Sequence, residues 1–259
     1  MARKTKKGEP HIVVEDLTMA FGSFVLQRDL NFTVNKGEIF IVMGRSGCGK
    51  STLMRHMVGL ISPAKGRILY EGVSFWDVTD EERRQIRRDF GILYQSGALW
   101  SSMTLAENVA IPLQTYTDLT LSRILEIVSY KLSLVGLEGF EDYYPSEISG
   151  GMQKRAGLAR AMSLDPEILF FDEPSAGLDP ISARLLDELI VDLSESLGAT
   201  IIVVTHELFS IFAIGNNSVF LDPDTRTMIA RGDPKYLRDH SENQKVREFL
   251  MRGRSGETA

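Results

Sequence analysis

The chain has 259 residues, of which 43% are hydrophobic and 25% charged, the balance of an ordinary globular protein with one large domain or two small ones. A formal net charge of −6 argues against binding nucleic acid by bulk electrostatics. A single cysteine, Cys48, excludes an intrachain disulfide and suits a reducing compartment. The chain opens with the basic cluster Ala2–Lys7, which reads as a disordered terminus or, alternatively, as a weak attractor of anionic lipid heads. No apolar h-region accompanies it, so it does not read as a secretory signal. Strand-length apolar runs follow at Ile12–Val14, Ile39–Met43, Ile92–Tyr94, Ile168–Phe171 and Ile201–Val204. Several lack alternation, which suits strands buried on both faces. Helical patterns fall between them, over Ser51–Leu60, Leu121–Leu134, Pro180–Leu197 and Leu208–Ile214. Strands alternating with helices predict an α/β fold with a largely parallel sheet.

Residues 96–165 break that rhythm and read as helices joined by loops, a helical subdomain set between core segments 11–95 and 166–233. The last segment, 234–259, reads as a helix over Pro234–Arg252 and a fraying tail. No apolar run approaches the ~20 residues needed to span a bilayer. The expectation is a soluble protein whose membrane role, if it has one, passes through a partner.

Two motifs carry chemistry. The stretch "GRSGCGKS" follows the apolar run Ile39–Met43 and precedes a helical pattern, fitting Gly, four residues, then Gly-Lys-Ser. The glycines let backbone N–H groups curl round phosphates, Lys50 reaches the β/γ-phosphates, and the Ser51 hydroxyl can ligate Mg²⁺. Cys48 falls within this loop, either inside the cradle, where an adduct has no room, or hidden by burial. In "EILFFDEPSAGLD", Asp172 stands at a strand end, where it can hold the Mg²⁺ shell directly or through water. Glu173 beside it can polarise the attacking water as general base. A third stretch, "PSEISGGMQKRAGLARA", starts a helix with a small-residue face and a basic face at Ser149-Gly150-Gly151. Such a start suits an anion, so the chain carries two phosphate-facing helix starts.

Together these residues resemble the ATP-binding cassette family over nearly the whole chain. "ISGGM", Ile148 to Met152, is similar to the signature motif usually written LSGGQ, with Met152 in place of Gln. Gln95 in "LYQSG" resembles the Q-loop, Asp179 in "AGLD" the D-loop, and His206 in "VVTHE" the switch histidine. Phe21 resembles the aromatic that stacks on adenine, with Phe24 as the alternative. The resemblance implies a P-loop NTPase core of RecA type, a mostly parallel sheet with an antiparallel N-terminal part, and ATP and Mg²⁺ as cofactors. It implies that Gly44, Arg45, Ser46, Gly47, Cys48, Gly49, Lys50, Ser51 and Thr52 bind nucleotide. By the same resemblance Glu173, His206, Gln95 and Lys50 serve catalysis, and Ser51, Gln95 and Asp172 surround the metal. Two such domains dimerise head to tail in this family. Ser149, Gly150, Gly151 and Met152 would then act on the ATP held by the partner's P-loop, which accounts for the second helix start. Hydrolysis would release that contact and open the sandwich.

One P-loop per chain argues against the ribosome-associated class with two cassettes. Lys50 and Asp172 lie too close, without sustained heptads, for the chromosome-repair class. A transporter's ATPase subunit remains. The stretch "QSGALWSSMTLAENVAIPL", with "SGGMQKRAGLARA" and "VREFL", resembles the ATPases of Mla-type, MCE-associated phospholipid transporters, where methionine at the place of Met152 is usual. The rivals are ATPases of amino-acid importers and lipoprotein exporters. The resemblance implies a homodimer beneath a permease on the cytoplasmic side of the inner membrane. An MCE-type lipid-binding protein would lie beyond, with no nucleic acid in the complex.

Overall fold

The computed structural model describes residues 8–251, so the basic cluster at 2–7 and the tail beyond 251 lie outside the described residues. Two long strands, β1 (Pro10–Phe21) and β2 (Phe24–Asn35), pair antiparallel across a tight turn that sets Phe21 opposite Phe24. The run Ile12–Val14 is only the start of β1. Leu17 and Met19 continue its buried face through irregular register. The next strand, β3 (Ile39–Gly44), runs into the phosphate-loop motif and helix α1 (Lys50–Met57). This helix stops short of the expected Leu60. Gly59 takes φ +74°, and the N–H groups of Gly59 and Leu60 turn back onto His56 and Arg55. Strands β4 (Lys65–Tyr70) and β5 (Val73–Ser74) complete an antiparallel sheet of order β2-β1-β4-β5. Helix α2 (Asp80–Arg88) and strand β6 (Phe90–Leu93) close this first part.

The middle of the chain holds α3 (Leu105–Tyr116), α4 (Leu121–Leu134), a 3-10 turn at Pro145–Glu147 and α5 (Gly150–Ala161). Then come β7 (Ile168–Asp172), α6 (Pro180–Leu197), β8 (Thr200–Val204), α7 (Leu208–Ile214), β9 (Asn217–Asp222) and β10 (Thr227–Arg231). The end is not the single helix expected over Pro234–Arg252. It is two helices, α8 (Pro234–His240) and α9 (Gln244–Met251), because the chain turns at Ser241 and Asn243 caps the second start through Lys245 N–H.

The larger sheet has the order β10-β9-β3-β8-β7-β6, parallel except for β10. Both of its faces are covered. Ile39, Ile41 and Met43 of β3 join the core under the helices, and Phe40 and Val42 join the core under the antiparallel sheet. That two-sided burial explains why the apolar runs do not alternate. Because β3, β6, β7 and β8 run parallel, their C-terminal ends share one edge. Ligands of open α/β sheets bind at this edge.

Candidate functional site

The P-loop residues sit at that edge. Gly44 ends β3 with φ +148°, and a Cβ there would lie 2.4 Å from the Leu221 carbonyl oxygen and 2.8 Å from Cys48 Sγ, so only glycine fits. Arg45, Ser46 and Gly47 are exposed, and Gly49 is the left-handed N-cap of α1. The Lys50 side chain is nearly buried, and its ammonium donates to the carbonyls of Gly44 at 3.0 Å and Arg45 at 3.5 Å. It thus lies across the mouth of its own loop. Ser51 and Thr52, half-buried, open the helix. Of the two readings of Cys48, burial is the one observed. Its side chain joins the core, 1% exposed, and burial pushes the thiol above its usual range.

Across the edge, the Ser51 hydroxyl donates to Asp172 Oδ1 at 2.8 Å. A hydroxyl and a carboxylate in contact at a strand end are hard oxygen donors of the kind Mg²⁺ takes. Glu173 follows with φ +49°, a strained value for a non-glycine residue. Its carboxylate is buried; Oε1 lies 2.8 Å from His206 Nδ1, and Oε2 has no protein partner. An orphaned buried carboxylate oxygen is what a positioned water would satisfy. His206, just past β8, is 54% exposed and so faces both the acid and the open edge. Gln95, exposed, follows β6, whose Leu93 pairs with Phe171 of β7, so it stands at the same edge as Asp172.

Phe21 and Phe24 are both about half exposed at the β1–β2 turn, but they are not equivalent. The Arg226 guanidinium lies 5.2 Å over the Phe24 ring, which leaves Phe21 as the aromatic with an open face. Asp179 caps α6, accepting from the N–H groups of Ile181 and Ser182 at 3.0 Å each. Bonds from Ser182 and Ile181 hold its carboxyl below the usual range.

The signature residues are apart from these. Ser149 caps α5 by accepting from Met152 N–H at 3.3 Å, and Gly150 is exposed beside it. Gly151 lets α5 approach α6; an added Cβ would lie 3.1 Å from Ser182 Oγ. Met152 packs partly into the core, so the missing amide leaves the helix start intact. The expected basic face of this helix is not a solvated face. Arg155 donates to the Val135 and Gly136 carbonyls, and Arg160 to those of Ala98 and Gly97. Lys154 is buried against the loop after β7. Sequence reasoning missed these inward uses. Cations interleaved with Ala156, Gly157 and Ala159 on one helix were the available signal, because a helix lined with small residues packs closely on its neighbours.

Comparison with known proteins places this geometry. The ABC transporter family model matches residues 27–176. The chain is 41% identical over 95% of its length to a probable ribonucleotide transport ATP-binding protein, mkl, of Mycobacterium tuberculosis, covering 67% of that protein. It is 39% identical over 92% of its length to the intermembrane phospholipid transport system ATP-binding protein MlaF of Haemophilus influenzae, covering 89% of it. The Escherichia coli K12 MlaF is 36% identical over the same share, with 87% covered. Among solved structures, cbiO1 of Clostridium perfringens, part of an ABC transporter complex, superposes with a TM-score of 0.82 at 27% identity, covering 96% of this chain and 98% of that one. A dimeric ATP-binding cassette in a post-hydrolysis state with ADP and phosphate superposes with a TM-score of 0.77 at 26% identity, covering 86% and 98%. With its P-loop, acidic strand end and signature helix on one such frame, the chain belongs to the ABC transporter family as an ATP-hydrolysing cassette.

Proposed function

We propose that this cassette drives phospholipid movement between membranes, as a head-to-tail homodimer seated beneath a permease on the cytoplasmic side of the inner membrane. An MCE-type lipid-binding protein would complete the complex. The observation that carries the cargo is the match to two phospholipid transport ATP-binding proteins over nine-tenths of this chain and nearly as much of theirs.

In this reading the loop from Gly44 to Thr52 wraps the phosphates of one ATP, and Phe21 stacks on its base. Lys50 turns from its own loop carbonyls to the β/γ-phosphates. Mg²⁺, held by Ser51 and Asp172 with Gln95 beside them, would neutralise charge on the phosphate oxygens. Glu173 orients and deprotonates the attacking water through Oε2, while His206 holds Oε1 and keeps the carboxylate aimed. Ser149, Gly150 and Gly151 of the partner close the site over the γ-phosphate with helix-terminal N–H groups, Met152 backing them from the core. Asp179 holds the start of α6 beside the signature glycines.

A second cargo has support in the 41% match to probable ribonucleotide transport proteins. The two separate in one assay. The complex, isolated with its membrane subunits, is reconstituted in vesicles, and ATP-dependent movement of a fluorescent phospholipid is measured beside uptake of labelled ribonucleotides. Lipid movement without nucleotide uptake is expected. Nucleotide uptake with no lipid movement overturns the lipid reading.

A further inference from the structure

Lys154 lies five residues into the signature helix and is 6% exposed. Its ammonium donates to three backbone carbonyls, those of Pro174 at 2.7 Å, Ala176 at 3.1 Å and Glu173 at 3.2 Å. An ammonium has three donors, and all three are spent on one short stretch of chain. That stretch begins with the strained residue of the site. Glu173 holds φ +49° while its N–H donates to the Val204 carbonyl of β8 at 2.8 Å. The residue is therefore gripped from both sides, by β8 through its N–H and by α5 through its C=O. A non-glycine residue stays in this region only where its surroundings over-determine it. Without the ammonium, three carbonyls lose a buried donor and the backbone of Glu173 can relax. Any rotation there swings the Cα–Cβ bond and carries the carboxylate away from His206.

We infer that Lys154 is a positioning residue. Through these carbonyls it sets the carboxylate of Glu173 in its own chain's site. The helix that reads the partner's ATP thereby also holds the base that activates the water attacking its own chain's ATP. The inference rests on the dimer proposed above, because only there do one helix's start and its fifth residue serve different ATP molecules.

The test uses Lys154→Met, which keeps the apolar stem and removes the donors, and Lys154→Arg, which keeps a cation with several donors. In the full chain assembled with its membrane subunits, Lys154→Met should lower kcat by about tenfold to a hundredfold, the scale of an ångström's misplacement. KM for ATP should stay within about twofold, since the P-loop is untouched, and Lys154→Arg should recover much of the rate. Should Lys154→Met not fold, Lys154→Gln carries the same comparison.

Mixed dimers of differently tagged chains then say which site the lesion reaches. Lys50→Ala breaks the site of its own P-loop, and Ser149→Arg breaks the partner's. Mixed together, these two leave one intact site and should restore ATPase activity. Lys154→Met sits on the signature helix, yet it should behave like the P-loop lesion. It should be rescued by Ser149→Arg and not by Lys50→Ala. Rescue by Lys50→Ala, or a kcat within twofold of the unaltered protein, overturns the inference. If Lys50→Ala and Ser149→Arg fail to rescue each other, the dimer reading falls instead, and the split between kcat and KM still decides whether Lys154 positions Glu173.

Discussion

Glu173 combines three features that rarely meet in one side chain: a left-handed backbone, near-complete burial and an acceptor oxygen with no protein partner. Strain of this kind costs on the order of 1–3 kcal/mol. A buried, unsatisfied oxygen adds roughly another 1–3 kcal/mol. A residue kept only for packing would be replaced at a gain, so the arrangement points to work on a ligand. His206 alone does not satisfy it, because it reaches only Oε1. Glu173→Gln keeps size and shape and removes the base. It should therefore lower ATP turnover by ~10²–10⁴-fold while nucleotide still binds. ATP should accumulate a stable dimer, visible by size-exclusion chromatography. Turnover near that of the unaltered protein would take the base role from Glu173 and give it to another group at the strand edge.

Helices α6 and α7 meet over a polar contact that their apolar residues do not announce. Asp187 is 6% exposed on α6; its Oδ2 accepts from Ser210 of α7 at 2.8 Å, and its Oδ1 is buried without a partner. Burial raises its carboxyl to about 6 from the ordinary 3.8. The folded protein therefore holds this proton more tightly than the unfolded chain does. The resulting destabilisation is absent below about pH 3.8, grows as pH rises and is complete above about pH 6. Asp187→Asn cannot ionise, so its stability relative to the unaltered protein should improve by about 2 kcal/mol between pH 4 and pH 7.5. Parallel denaturant titrations at the two pH values check this, and a difference that does not change with pH removes Asp187 as the cause. Such contacts also show which elements could be read beforehand. Helices α4, α6 and α7 were legible to the residue: α4 and α6 carry apolar stripes with a 3.6-residue period, and α7 is a short run apolar at every position but Ser210. Helix α2 has no buried residue and so no stripe. It stands on the Thr79–Glu82 capping box and on Arg83 and Arg87 lying over Phe75 and Trp76. Strand β2 was hidden for another reason. Its buried face is interrupted by Gln27, whose amide bridges the Cys48 and Asp222 carbonyls. The P-loop and the acidic strand end were legible because their backbone needs glycine and their chemistry needs an acid. The inward bonds of Lys154 depend on partners about twenty residues away, so the small residues beside it hinted at close packing but not at those carbonyls.

On the scale of the whole molecule, the loop after β6 joins the nucleotide edge to the helical region. It starts at Gln95, at the same sheet edge as Asp172, and ends at the Thr104 cap of α3, so in the proposed complex it would link the phosphate state to the permease surface. Between them the loop sorts its apolar residues. Leu99 packs against the core, whereas Trp100 is 62% exposed. The exposure of Trp100 is held in place by its own backbone. Its N–H donates to Asn108 Oδ1 at 2.7 Å, and Asn108, fully buried, donates back to the carbonyls of Trp100, Met103 and Thr104. A loop fixed from below that lifts an indole into solvent has the form of a docking anchor, and truncating such an aromatic can cost ≥2 kcal/mol of binding. In the proposed complex, Trp100 helps line a groove that takes a helix of the permease. Trp100→Ala should therefore reduce co-purification of the membrane subunits or uncouple ATP use from transport. The isolated cassette should keep its melting temperature and nucleotide affinity, because the indole contributes little to the core. Asn108→Ala provides the contrast: it removes the support of the whole loop and should lower the stability of the isolated chain by ~1–3 kcal/mol. If Trp100→Ala melts the cassette as Asn108→Ala does, the indole is structural; if it leaves both assembly and coupling intact, the permease docks on another surface.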